Sequence, residues 1–282
     1  MKKNSNYNFL FFLLMSMTAV NSYGQSDSTR LQVTYDVRYL NYEEDDSLSR
    51  DIMRLDIGTY ASRYYSLVME WYKKNAKGHA PYTGMRSHHE DVFKNMPIIG
   101  QITFIHMPYW LTTQDSADNL FNWQLMEGDS IVCEYPCKKA AVDYRGRTWM
   151  VWYTLSLPYS DGPWKFCGLP GLILHAKDSE NKFIFDCVGI EKGDGHPFFY
   201  PTYKNKKVVT PERAEELLIM EADDNDNYAQ LMFPQAKIVS RYDANGRPYK
   251  WQPKSAVTYE VFPQNHKKKL PSKKNKRTKK TT

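Results

Sequence analysis

Alternating apolar and polar positions dominate the chain and predict strands. Leu31, Val33, Tyr35, Val37 and Tyr39 fall on one face of a first strand, with mostly polar residues between them. Met53, Leu55 and Ile57 repeat the pattern before Gly58. Tyr60 to Met69 reads as a further hairpin arm, although Leu67 to Lys74 also suits a helix. Ile98 to Trp110 predicts another strand, with Ile98, Ile102, Phe104 and His106 on one side. Phe121, Trp123 and Leu125 alternate toward a turn at Glu127-Gly128-Asp129, and Ile131, Cys133 and Tyr135 alternate back to a bend at Pro136. After a tight turn at Arg145-Gly146-Arg147, Trp149, Val151 and Tyr153 share one face, and Met150, Trp152 and Thr154 share the other. Both faces of that strand are apolar, so both are expected to be covered. Leu172 to Lys177 and the stretch holding Phe183 and Phe185 predict two more strands around a turn at Asp178-Ser179-Glu180-Asn181.

The period changes near the C-terminal end. Thr210-Pro211-Glu212 is a helix start: a hydroxyl N-cap, a proline where no amide donor is needed, and an acid at the positive end. The helix is predicted through about Met220, with Ala214, Leu217 and Leu218 inward. Residues 73–97 are polar, are broken by Gly78, Pro81, Gly84 and Pro97, and read as a long loop; Gly193 to Pro201 reads as a shorter one. The fold class is therefore mainly β: an antiparallel meander forming an incomplete barrel or half-barrel, with one short C-terminal helix.

One stretch stands out from the strands. Ser160 to Leu174 carries Gly162-Pro163, Trp164, Phe166 and Gly168-Leu169-Pro170-Gly171 ahead of the apolar run Leu172-Ile173-Leu174. Pro170-Gly171 suits the centre of a type II turn, and Gly168 suits a close backbone approach. Trp164 and Phe166 share a face if the chain is extended there. The stretch is either a structural crossover packed by a tryptophan or the rim of a ligand cavity.

These residues resemble the GLPGLI family of Gram-negative envelope proteins. The resemblance rests on Gly168 to Ile173, on Tyr144-Arg145-Gly146-Arg147, on Gly162-Pro163-Trp164-Lys165-Phe166 and, more loosely, on Cys137-Lys138-Lys139-Ala140. It covers about residues 120–190. It implies an exported β protein and no particular reaction.

The chain termini bear on compartment. Lys2 and Lys3 precede an apolar run from Phe9 to Val20, and Ser22 and Gly24 are small residues suited to cleavage before Gln25, the pattern of a signal peptide. Residues 25–265 are then expected to be one β domain, and residues 266–282 a disordered basic tail. Nine Lys and Arg follow His266, and two leave with residues 1–24, so residues 25–265 carry a net charge near −5 although the whole chain is at +6. The tail can touch anionic lipid; an exported chain with an acidic body gives no reason to expect nucleic acid.

Candidate chemistry is sparse. Cys133, Cys137, Cys167 and Cys187 permit disulfides whose pairing stays open. His88-His89-Glu90-Asp91 lacks the spacing of a metal-binding helix, and no metal or cofactor is implied. Arg145 and Arg147 flank a glycine, which suits carboxylate or phosphate binding or ion pairs with Asp143. Three functions follow. The first is a non-catalytic binding or carrier module holding an apolar small molecule or an extended peptide against Trp152, Trp164, Phe166 and Leu172, with Arg145 and Arg147 nearby. The second is a structural or interaction protein presenting Phe198, Phe199 and Tyr200 to an envelope protein. The third is an enzyme built on Asp143, Arg145, Arg147, Asp161 and Lys165; no triad or phosphate loop supports it.

Overall fold

The computed structural model describes residues 26–75, 90–106, 111–201, 206–232, 234–235, 252–262 and 265. The signal segment, His88-His89 and the basic tail lie outside the described residues. The described chain is mostly β, with a large sheet not closed into a barrel. Its strands are β1 (Ser26–Ser28), β2 (Leu31–Tyr39), β3 (Ser49–Ile57), β4 (Ser62–Ser66), β5 (Glu90–Lys94), β6 (Gln101–His106), β7 (Leu111–Ser116), β8 (Gln124–Val132), β9 (Tyr135–Tyr144), β10 (Arg147–Thr154), β11 (Leu172–Asp178), β12 (Phe183–Lys192), β13 (Pro197–Phe199) and β14 (Lys207–Val208). The helices are α1 (Leu67–Asn75), α2 (Pro211–Asp223) and α3 (Asn225–Met232).

Twelve strands form one sheet in the order β14-β7-β6-β5-β4-β3-β2-β12-β11-β10-β9-β8. Two antiparallel meanders, β2 to β7 and β8 to β12, meet where β2 pairs with β12 from Leu31↔Lys192 to Tyr39↔Phe183. Among the described strands, only β14 is parallel to its neighbour, β7.

The alternation read from sequence places the core on one face. Val33, Tyr35, Val37 and Tyr39 of β2 join Met53 and Leu55 of β3, Ala140 and Val142 of β9, Trp149 and Val151 of β10, and Phe183 and Phe185 of β12. Full burial of each such side chain contributes about 1.5–3 kcal/mol. The hydroxyl of Tyr35 donates to the Ile173 carbonyl at 2.7 Å, so the deepest tyrosine brings no unpaired polar atom. A second cluster gathers Ala61, Phe93, Met96, Ile105, Phe198 and Tyr200. A third packs Leu217, Tyr228 and Met232 of the C-terminal helices on Leu111 of β7.

Several expectations are revised. The segment read as a long loop contains β5, which is too short to show its alternation between breakers. The hairpin between β8 and β9 turns at Cys133-Glu134, both in left-handed backbone, whereas Met126 to Asp129 is a bulge within β8. Leu125 is therefore exposed and Phe121 lies before the strand. Ile98 is exposed ahead of β6 rather than in it. Phe198 and Tyr200 are buried because β13 pairs with β1, and of that aromatic group only Phe199 faces outward. One C-terminal helix was expected; α2 is joined by α3 and by α1. Thr210 caps α2 as its sequence implies, its hydroxyl accepting from Arg213 N at 3.3 Å.

The outer face of β10 is only half covered, because cross-strand neighbours shield it instead of a second layer. Trp152 lies opposite Lys139 and His175, with the Lys139 ammonium 5.4 Å from its ring and the His175 ring 4.6 Å away. His175 Nδ1 is 2.6 Å from Asp186, its partner on β12.

Two glycines set the crossover between β10 and β11, in roles opposite to those expected. Gly168 has φ +90°, while Gly171 is needed for space: a Cβ there would stand 2.0 Å from the Thr154 carbonyl oxygen. Gly171→Ala is expected to destabilise by about 3 kcal/mol through overpacking. Gly195→Ala, where φ is +79° and no atom lies within 4 Å, is expected to lose only about 1 kcal/mol. Urea denaturation of both variants checks the difference.

Candidate functional site

The crossover runs over the core face, and buried charge fixes it there. Lys94 ends β5 and is 4 % exposed. Its ammonium pairs with Asp161 and donates to the carbonyls of Gly162 at 2.6 Å and Phe166 at 2.9 Å. All three ammonium donors thus end on a single loop. Asp161 Oδ1 also accepts from Gly162 N at 2.7 Å, and Asp161 O accepts from Ile173 N at 2.9 Å, which joins the loop to β11.

With the loop fixed, Trp164 enters the core at 1 % exposure. Its φ of +51° is left-handed, a conformation that costs a bulky residue about 1–2 kcal/mol. Packing offsets that cost: Trp149 and Phe166 lie 5.4 and 5.1 Å away, and Tyr259 is stacked at 5.2 Å with planes 27° apart. Trp164 and Phe166 do meet in one cluster, but through a turn closed by Phe166 N donating to Pro163 O, not through an extended strand.

Beside Trp164, Lys165 is 2 % exposed. Its ammonium reaches Asp115 of β7 at 2.8 Å and Glu260 at 2.6 Å. Arg145, from the turn between β9 and β10, meets the same two acids at 2.6 and 3.0 Å. Two cations and two carboxylates therefore alternate in a closed ring. Burial raises the Asp115 carboxyl, but Lys165 and Arg145 outweigh it and hold the group below the usual carboxylate range.

Between this ring and α2 lies a cavity of about 30 Å³, lined by Phe104, His106 and Thr113 of the sheet, Trp164, Ala214 of α2 and Thr258. That is room for one or two waters. Trp164 Nε1 and Thr113 Oγ1, both buried, have no protein hydrogen-bond partner among the described residues. His106 packs on Phe104 at 4.4 Å, and burial together with the Lys165 ammonium lowers it to about 3.

The structure thus gathers Trp164, Phe166, Leu172 and Arg145 but places Trp152 on the opposite face. Arg147 lies nearby and is structural: it pairs with Asp178 at 2.8 Å and donates to the Thr258 carbonyl at 2.7 Å. Asp143, considered as its partner, instead accepts from Thr148. All four cysteines are free. Cys133 contacts Cys187, with Cys137 close by, whereas Cys167 sits near Lys94. Burial pushes the Cys137 and Cys167 thiols up to about 11, away from the thiolate form a nucleophile needs. Asp91 of the His-His-Glu-Asp run pairs with Arg63 and Lys73, both at 3.0 Å. Sequence reasoning passed over Lys94, Asp115 and Glu260. The apolar alternation of Val257, Tyr259 and Val261 was the available signal for the last.

Residues 138–175, from β9 into β11, match a family model described as a protein of unknown function (Porph_ging). No curated protein matches the chain. Among solved structures, the chain is similar to PNGF-II, with 13% identity over 77% of this chain and a TM-score of 0.46. It spans 39% of that protein's length. It is also similar to MucB in complex with MucA(peri), at 12% identity over 64% of this chain and 57% of that one, with a TM-score of 0.29. A LolA superfamily protein from Nitrosomonas europaea aligns at 9% identity over 60% of this chain and 87% of that one, with a TM-score of 0.27. All three scores are below 0.5.

Lys94→Met strands Asp161 as a buried charge and is expected to destabilise by about 3–5 kcal/mol. The double variant Lys94→Met/Asp161→Asn recovers part of that loss, measured by urea unfolding. His106 gives a pH dependence. The unfolded chain takes up its proton near pH 6.5 and the folded chain only near 3. Its contribution is complete above pH 6.5 and declines as pH falls toward 3. About 1–2 kcal/mol is expected to disappear between pH 7 and 5 in the native protein, and His106→Gln removes that share of the slope.

Proposed function

We propose that this chain is an exported, GLPGLI-type binding or carrier module of the cell envelope, with residues 25–265 as one domain, which holds an apolar ligand between the core face of the sheet and a cover made of α2 and residues 252–262. The observation that carries this reading is the pair of buried polar atoms without a protein partner, Trp164 Nε1 and Thr113 Oγ1, in residues lining a cavity walled mainly by apolar atoms, with Lys165, Glu215 and Glu260 also in its lining. Buried polar groups are ordinarily hydrogen-bonded, so two around one cavity suit an incoming ligand. Such a ligand enters when the cover shifts, since the space under it is far below the few hundred Å³ of a typical ligand pocket.

The export signal at Lys2 to Gly24 and the glycine-proline motif at 168–171 support the envelope assignment. No described helix is long and apolar enough to cross a membrane. The interaction-protein reading is weaker, because Phe198 and Tyr200 are buried and only Phe199, 60 % exposed, is left to meet a partner.

Native mass spectrometry of the protein purified from its host, followed by titration with the neutral apolar dye N-phenylnaphthylamine, tests this function. One ligand per chain and saturable dye binding are expected. Ala214→Leu, which fills the cavity from α2, is expected to weaken dye binding about tenfold and to lower Tm by several degrees through overpacking, with saturable binding by the native protein as the reference. An apo mass together with non-saturable dye uptake overturns the reading.

A further inference from the structure

Residues 256–262 cross the core face without joining the sheet as a strand. Their backbone is held by a single bridge from Ala256 to Tyr42, by Val257 N donating to the Asn41 carbonyl at 3.0 Å and Val261 N to the Arg145 carbonyl at 2.7 Å, by Arg147 Nε donating to the Thr258 carbonyl at 2.7 Å, and by Phe262 N donating to the Glu215 carboxylate at 3.0 Å. Their side chains, by contrast, enter a site that the rest of the chain builds. The Tyr259 ring lies 5.2 Å from Trp164, 4.4 Å from Phe183 and 6.1 Å from Phe185. Next to it, Glu260 Oε1 accepts from Lys165 at 2.6 Å, Arg145 at 3.0 Å and the Tyr144 hydroxyl at 3.4 Å.

The charges of the ring limit what could replace Glu260 in it. Lys165 and Arg145 face Asp115 and Glu260, two positive charges against two negative. Without Glu260 the ring keeps one net positive charge on a lysine that is almost wholly buried. A buried charge of that kind demands a partner. One monovalent anion restores the balance of the four-membered ring; a phosphate dianion exceeds it, the more so with the buried Glu215 carboxylate in the lining of the same cavity. The place of the Tyr259 ring, between three aromatic rings, calls for an apolar body joined to that anion. The neighbouring strands β9, β10, β11 and β12 are each paired on both sides, so no free edge offers a peptide a backbone ladder.

We propose, building on the binding reading above, that Tyr259 and Glu260 are an internal occupant of an anionic-amphiphile site, and that its ligand is a long-chain carboxylate. The carboxylate takes the place of Glu260 on Lys165 and Arg145, and the chain takes the place of the Tyr259 ring beside Trp164. Residues 256–262 then act as a tethered competitor: ligand affinity is lowered by the fraction of molecules in which they are seated.

The test is calorimetric titration of the full mature chain with hexadecanoate and with hexadecan-1-ol. Glu260→Gln removes the competing charge and is expected to bind hexadecanoate about tenfold more tightly than the native protein, with no such gain for the alcohol. Lys165→Met/Glu260→Gln keeps the ring neutral and is expected to lose that gain. An equal gain for both compounds, or no gain, overturns the inference. If hexadecan-1-ol binds while Glu260→Gln leaves hexadecanoate unchanged, the binding module stands and the carboxylate site falls. If neither compound nor the neutral dye binds any variant, both fall. Should Glu260→Gln unfold, hydrogen exchange of the native protein decides: hexadecanoate is expected to deprotect 252–262 while β11 and β12 stay unchanged, and an unchanged 252–262 overturns the inference.

Discussion

Lys94 is the point on which the central loop depends. A buried ammonium with all three donors engaged cannot tolerate a shifted loop without losing a hydrogen bond in a low-dielectric setting. That fixes Asp161, Gly162 and Phe166 relative to β5, and with them the left-handed Trp164. The indole then orders its neighbours: Trp149 from β10, Phe121 from the approach to β8 and Tyr259 from the C-terminal segment all pack against it. An interaction between a strand of the first meander and the loop before β11 thus decides how the second meander is filled.

The same loop carries the next residue, Lys165, into a separate ionic ring. Buried ion pairs are weak evidence of stability, because desolvation offsets much of their attraction. Their value here is positional. Asp115, Arg145, Lys165 and Glu260 come from β7, a hairpin turn, the crossover and the C-terminal segment, and each cation touches both acids. Oily packing alone would accept several settings of these four segments; the ring accepts one.

Much of the sheet was legible from alternation, because a strand with one buried face writes its period directly into the sequence. Leu31–Tyr39 matches β2 from end to end, and Phe183 and Phe185 share the face assigned to them. The resemblance around 168–173 pointed to the crossover as a special backbone, yet not to the roles of its glycines, since close approach and positive φ both call for glycine. Turn placement failed where Cys133 and Glu134 adopt left-handed backbone that their side chains do not advertise. Trp152 was misjudged because alternation states which residues share a face and not what covers it. The candidate site was the least legible part. Lys94 and Asp161 lie 67 residues apart and Lys165 and Glu260 lie 95 apart, and nothing local marks either pair.

The junction of β2 with β12 shapes how the sheet is assembled. Arg38 and Asp186, ion-paired across it, are 148 residues apart. The first meander therefore holds a nine-residue strand whose outer rim is covered only by a strand far along the chain. Closing so distant a contact is slow, and an unpaired strand rim recruits other chains in the meantime. Until β12 docks, the first meander carries a rim ready to pair with another copy of itself.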